Sequence, residues 1–221
     1  MLNKKYQSQS NVIASYDYTD IASGTGITNF YAGEVSISGS SISRILSNVQ
    51  FYSNSISTED YTGTDTDYTE KFDLDFDVLM NKNFVIEGKS NVNIPVRVGI
   101  TGSSDGASMT AYVIVKLRKW DGVTETEIAS NTTKLFYAEN AVGADEETEI
   151  FDISAVYLDI PQTVFKVGEY LRLTCIGYAK RTQNGTYHLK LGYDPMNRSI
   201  DWDAAGSPSS LILQIPQKLD I

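Results

Sequence analysis

Four groups of residues have types and spacings from which chemistry is built. Gly102-Ser103-Ser104-Asp105-Gly106 satisfies G-x-S-x-G, the pattern that lifts a nucleophilic serine onto a sharp strand-to-helix turn. That chemistry needs a helix after the turn and a histidine base later. Here a strand pattern follows, and the single histidine, His188, falls in a β-hairpin pattern. A serine-rich β turn accounts for the stretch. Cys175 and His188 are a second pair, a thiol and a base. The hairpin register sets His188 opposite Arg181, six positions from Cys175. At ~3.3 Å per residue that is far outside hydrogen-bond reach, so Cys175 reads as a small core hydrophobe.

The third group is acidic. Asp73, Asp75 and Asp77 alternate along a strand pattern, after Asp60, Asp65, Asp67 and Glu70 in a loop. Same-face strand residues lie roughly 7 Å apart, too wide for one calcium shell. The loop also lacks the D-x-[DN]-x-[DN]-G spacing. These residues read as a solvated acidic face. Two carboxylates for glycoside cleavage can always be chosen from 28 acids, so their presence carries no weight. The fourth group, Trp120 and Trp202 with fourteen tyrosines, offers aromatic faces for stacking a sugar. Packing beside a turn equally explains Trp120. The sequence thus assigns no catalytic, cofactor or metal residue.

The elements that must position these groups are strands. Ala111–Ser130 reads as a hairpin about Asp121-Gly122, a pair suited to positive φ at both centres of a type I′ turn. That register pairs Trp120 with Val123, Arg118 with Glu125, Lys116 with Glu127, Leu117 with Thr126 and Val115 with Ile128. One face is then charged and the other apolar or β-branched. Phe72, Leu74, Phe76 and Val78 alternate with the aspartates as a half-buried strand. Val92, Ile94, Val96, Val98 and Ile100 form the cleanest period-2 set, and Pro95 on the other parity predicts an edge or a bulge. Asn184-Gly185 predicts a second hairpin over Tyr170–Tyr193, pairing Tyr178 with Leu191 and Ile176 with Tyr193. Its apolar parity flips near Gly177, where a bulge is expected. Leu173 and Val115 are expected in the core. Further strands are expected over Thr133–Tyr137, Glu149–Leu158 and Ser210–Ile215, with a loop at 60–69 and a long crossing loop or a helical turn at 138–148. Many short strands at this spacing predict an all-β antiparallel sandwich, one domain over residues 11–221 behind a polar arm, residues 1–10.

A net charge of −10 argues against gripping nucleic acid through phosphates, and no polybasic patch suits anionic lipid. One cysteine allows no intrachain disulfide, which fits synthesis in a reducing cytoplasm. MLNKKYQSQSN has no apolar run and does not read as a signal peptide, and no stretch reaches membrane-span length. The sequons at Asn131, Asn184 and Asn197 read as turns.

VIVKLRKWDGVTETEIAS (113–130) and FKVGEYLRLTCIGYA (165–179) resemble jelly-roll virion proteins of tailed bacteriophages, with VIASYDYTDIASGTGITNFYAG (12–33) and FDLDFDVLMNKNFVIEG (72–88) adding to the likeness. The resemblance implies a jelly-roll fold and a non-enzymatic role as a capsid decoration, cement or other head component. It implies the virion as location, after synthesis in the host cytoplasm, and a capsid protein lattice as partner. It carries over no functional residue. A closed homo-oligomer is expected, a trimer by preference. Within the arm, Lys4, Lys5 and Tyr6 offer charge and an aromatic anchor for the capsid. The alternative is a carbohydrate- or receptor-binding module of a phage fibre or tail.

Overall fold

The structure, a computed structural model, describes residues 25–38, 41–102, 106–140, 148–182, 185–198 and 208–218. The arm with Lys4, Lys5 and Tyr6, and also Ser103 to Asp105, Asn184, Trp202 and most of the 138–148 loop, lie outside these residues.

Alternating apolar residues make strands here, and the described residues contain no helix. The strands are β1 (Thr25–Ser38), β2 (Ser41–Ser47), β3 (Tyr61–Gly63), β4 (Thr69–Leu79), β5 (Phe84–Thr101) and β6 (Ser108–Trp120). They continue with β7 (Glu125–Thr132), β8 (Phe136–Glu139), β9 (Thr148–Phe165), β10 (Tyr170–Arg181), β11 (Thr186–Leu191) and β12 (Ile212–Lys218). The chain is all-β. Its described ladders are antiparallel except for one parallel bridge, Ile45 to Asp77. That bridge joins β2 to β4 and divides the ladder path into two sets. The first runs β3-β11-β5-β12-β1-β2, with β9 on the far side of β5. The second runs β4-β10-β6-β7, with β8 also on β6.

The apolar faces of both sets meet in one core. Val92, Ile94, Val96, Val98, Ile100, Leu213 and Ile215 enter it from the first set. Phe72, Leu74, Phe76, Val113, Val115, Leu171 and Leu173 enter it from the second. Burying each such side chain fully contributes roughly 1.5–3 kcal/mol. The expected inward residues of β4, β5 and β6 are the observed ones, Val115 included, and Leu173 of β10 is buried as expected.

Pro95 is neither at an edge nor in a bulge. It lies opposite Ile153 of β9 in an unbroken stretch of ladder. On its other side β12 pairs as far as Asn93 and β11 begins at Val96. Its carbonyl accepts from Gly192 N on that side. The missing N–H therefore falls where β5 changes partners and no ladder donor is needed.

The central hairpin forms in a different register. Trp120 faces Glu125, Arg118 faces Glu127, and beyond a bulge at Ile128 Leu117 faces Ala129 and Val115 faces Asn131. The reason is local. Asp121 Oδ1 accepts from Val123 N (2.9 Å) and Thr124 N (2.7 Å), so Asp121 caps the turn instead of sitting at its centre. Gly122 has φ 96° and Asp121 has no positive φ, which excludes type I′ at Asp121-Gly122. The shift is two residues from Trp120 to Arg118 and three beyond the bulge, where Lys116 faces Ser130. Arg118 still reaches Glu125 at 2.9 Å and Lys116 still reaches Glu127 at 3.1 Å, now diagonally. Asn131, read as a turn, lies within β7.

Tyr170–Tyr193 is not a hairpin. β10 lies between β4 and β6, whereas β11 crosses to the other set between β3 and β5. Tyr178 faces Tyr112 and Ile176 faces Ile114. A turn signal says that the chain reverses, not which sheet takes the next strand. β11 brings Tyr187, Leu189 and Leu191 to β5, whose Val96, Val98 and Ile100 share their alternation. The parity of β10 does not flip: Leu171, Leu173, Cys175 and Ala179 are all buried. Gly177 shares that inward face because the Phe72 ring fills its side-chain space, 2.3 Å from where a Cβ would stand. A register shift does occur here, but in β4, where Lys71 is the extra residue; the β6 ladder stays regular.

Candidate interaction surfaces

Crossing to the other sheet gives His188 neighbours that the hairpin reading missed. It faces Gly99 of β5 and Thr62 of β3. Its Nδ1 lies 2.8 Å from Asp60 Oδ2 and its Nε2 lies 3.0 Å from Thr101 Oγ1. Carboxylate, imidazole and hydroxyl stand in the order that activates a nucleophile elsewhere. Here the array runs from Asp60, the residue before the edge strand β3, through β11 to β5, and fastens that edge to β5. Burial would raise the Asp60 carboxyl, but the hydrogen bond and charge of His188, with Lys190 and Arg97 beyond, hold it below its ordinary value. Arg97 is paired with Glu149. Cys175 stands in the other set, between Leu74 and Val115, and burial pushes its thiol far up. The two residues of the thiol–base pair do not meet.

The aspartates of β4 face outward, as expected, but they are not simply solvated. Arg172 binds Asp77 with both arms of its guanidinium, each at 2.7 Å, and reaches Asp75 and Glu125 at 3.1 Å. Thr174 donates to Asp75 at 2.6 Å. Glu125 thus bridges Arg118 and Arg172, and cross-strand pairing turns the acidic row into a charge lattice. Trp120 is part of it, with the Arg172 guanidinium 4.7 Å from its ring centre and Tyr170 at 4.8 Å. Its ring is engaged by these neighbours. At the other end of this face Tyr112 stacks on Tyr178 at 5.2 Å, and Tyr68 meets Tyr112 edge-on.

Large apolar side chains are left outside along β8 and β9. Leu135 is 60% exposed and Ile153 40%, and Ile150 and Tyr137 are also exposed. Lys134 pairs with Asp152 at 2.5 Å, so Leu135 and Ile153, each one residue from that pair, share this edge. The backbone of the β9 edge is partly capped. Asn131 Nδ2 donates to Tyr157 O at 2.9 Å and Lys119 Nζ donates to Val164 O at 2.7 Å. Occupied carbonyls discourage a foreign strand from adding here. Alternation marked β9 as a strand, but only the tertiary ladder shows which of its residues stay uncovered.

No family model matches this chain, and no curated protein matches it. Among solved structures it is similar to a CocE/NonD family hydrolase from Staphylococcus aureus, at 15% identity and a TM-score of 0.37, over 86% of this chain and 37% of that one. An alpha-amino acid ester hydrolase gives 11% identity and 0.49, over 86% and 36%. An aminopeptidase from a marine sediment archaeon, Thaumarchaeota archaeon, gives 8% and 0.43, over 86% and 37%. The chain spans little more than a third of the length of each, and likenesses this distant carry no argument about activity.

Proposed function

We propose that this chain is a non-enzymatic structural protein of a virion, a jelly-roll-type decoration or cement protein that docks on the capsid protein lattice. The observation that carries the reading is the uncovered apolar side chains of Leu135 and Ile153 along the β8–β9 edge. Exposed apolar side chains grouped on one edge mark a protein-binding surface. Beside them the capped β9 carbonyls disfavour open-ended strand addition, which suits a part that adds once to a finished shell. A closed homo-oligomer, a trimer by preference, would present several such edges together. Lys4, Lys5 and Tyr6 of the arm would add charge and an aromatic anchor to the same contact. The test is loading onto undecorated capsids, read by sedimentation and cryo-electron microscopy. Wild-type protein should occupy a regular lattice position. Leu135→Asp with Ile153→Asp should fold normally and load at least tenfold less, and removal of residues 1–10 should weaken loading further. Equal loading of the double variant, or no loading by wild type, overturns the reading.

A further inference from the structure

The outer face of β1, β12, β5 and β9 has a composition unlike the charge lattice on the opposite sheet. One row across it reads Asn29, Gln214, Asn91, Tyr157, each directly opposite the next. The adjacent row reads Tyr31, Ile212, Asn93, Ala155. Neither row contains a charged residue, in a chain of net charge −10.

The amides hold one another. Asn91 Nδ2 donates to Gln214 Oε1 at 3.1 Å and to Asn93 Oδ1 at 3.2 Å, and Gln214 Nε2 donates to Asn29 Oδ1 at 3.2 Å. Their orientation is thereby set before any ligand arrives. Asn91 Nδ2 spends both its hydrogens inside the row, whereas Gln214 Nε2 uses one of its two on Asn29. Asn91 Oδ1 is buried and accepts no hydrogen bond among the described residues. Opposite it, Tyr157 is 64% exposed.

We infer that this face binds a neutral glycan chain lying across the strands. Adjacent strands repeat at about 4.8 Å, close to the length of one hexose unit in an extended glycan. Successive amides can therefore meet hydroxyls of successive sugars. The exposed Tyr157 ring beside the row offers an apolar surface for sugar C–H groups. Fixed, uncharged donors and acceptors beside an exposed ring suit a neutral polyol. An acidic glycan would find no cation in either row. This inference does not depend on the capsid reading.

The probe is an array of neutral and acidic oligosaccharides, followed by titration calorimetry on the best neutral one. Wild-type protein should retain neutral oligosaccharides. Tyr157→Ala and Asn93→Ala should each weaken binding at least tenfold with unchanged thermal melting. Tyr178→Ala, on the opposite outer face, should bind as wild type does. The inference is overturned if no neutral oligosaccharide is retained, if acidic ones alone are retained, or if the Tyr157→Ala, Asn93→Ala double variant binds undiminished.

Discussion

Gly177→Ala tests the packing of the second sheet at one atom. Gly177 has no positive φ, so alanine meets no backbone strain there. Its added methyl would stand 2.3, 2.4 and 2.8 Å from three carbons of the Phe72 ring. Carbon atoms settle at about 3.5–4.0 Å, so the ring must retreat by about 1 Å or more. It has little room: Phe72 is buried and leans on Tyr61 at 5.5 Å between centroids. Overpacking of this kind costs about 1–3 kcal/mol, and a rigid ring in a closed core belongs near the top of that range. Losing glycine stabilises by about 0.4–1 kcal/mol through the unfolded chain. The net expectation is a loss of roughly 2 kcal/mol, or about 4–8 °C in melting temperature for a chain this long. Urea unfolding of Gly177→Ala, Phe72→Leu and the double variant measures it. In the Phe72→Leu background the alanine should cost less by about 1 kcal/mol or more, as contacting residues couple. A Gly177→Ala variant as stable as wild type would refute the clearance argument.

Three further outcomes follow from the same coordinates. Asp77→Asn removes a two-armed partner of Arg172 and should cost about 1–3 kcal/mol, whereas Lys89→Ala, whose 3.9 Å pair with Asp159 is largely in solvent, should change stability by less than about 0.5 kcal/mol; equal effects in urea would contradict the lattice. The Asp60 carboxyl is depressed by His188, so its contribution is present above the ordinary carboxylate pKa and lost as pH falls through the folded value. Asp60→Asn should therefore be less stable than wild type at neutral pH, and the gap should close below about pH 4; a gap constant down to pH 2.5 in urea midpoints would show that the carboxylate charge contributes nothing. Cys175 is fully buried with its thiol pushed up, so a disulfide reagent such as DTNB should leave it unmodified in native protein and titrate one thiol in denaturant.

Local alternation determined much of this molecule on its own. It marked the inward faces of β4, β5 and β6, with Val115 and Leu173 in the core, because side chains of a strand alternate whatever lies beyond it. It also matched Arg118 with Glu125 and Lys116 with Glu127, because these long side chains still reach their partners diagonally after the register slips. The register itself depended on where the Asp121 carboxylate bonds, a choice between turns that Asp-Gly permits equally. The partner of β11 was beyond local reading, because a turn reverses the chain without naming the sheet that receives it. On that partner depend the neighbours of His188 and the place of Pro95 where β5 changes partners; the ring of Phe72 against Gly177 depends instead on β4 pairing with β10. The amide row was equally invisible: Asn29, Asn91 and Gln214 are far apart in sequence and meet only because β12 returns between β1 and β5. Backbone hydrogen bonds between distant strands decided these features, and a chain read in order does not state them.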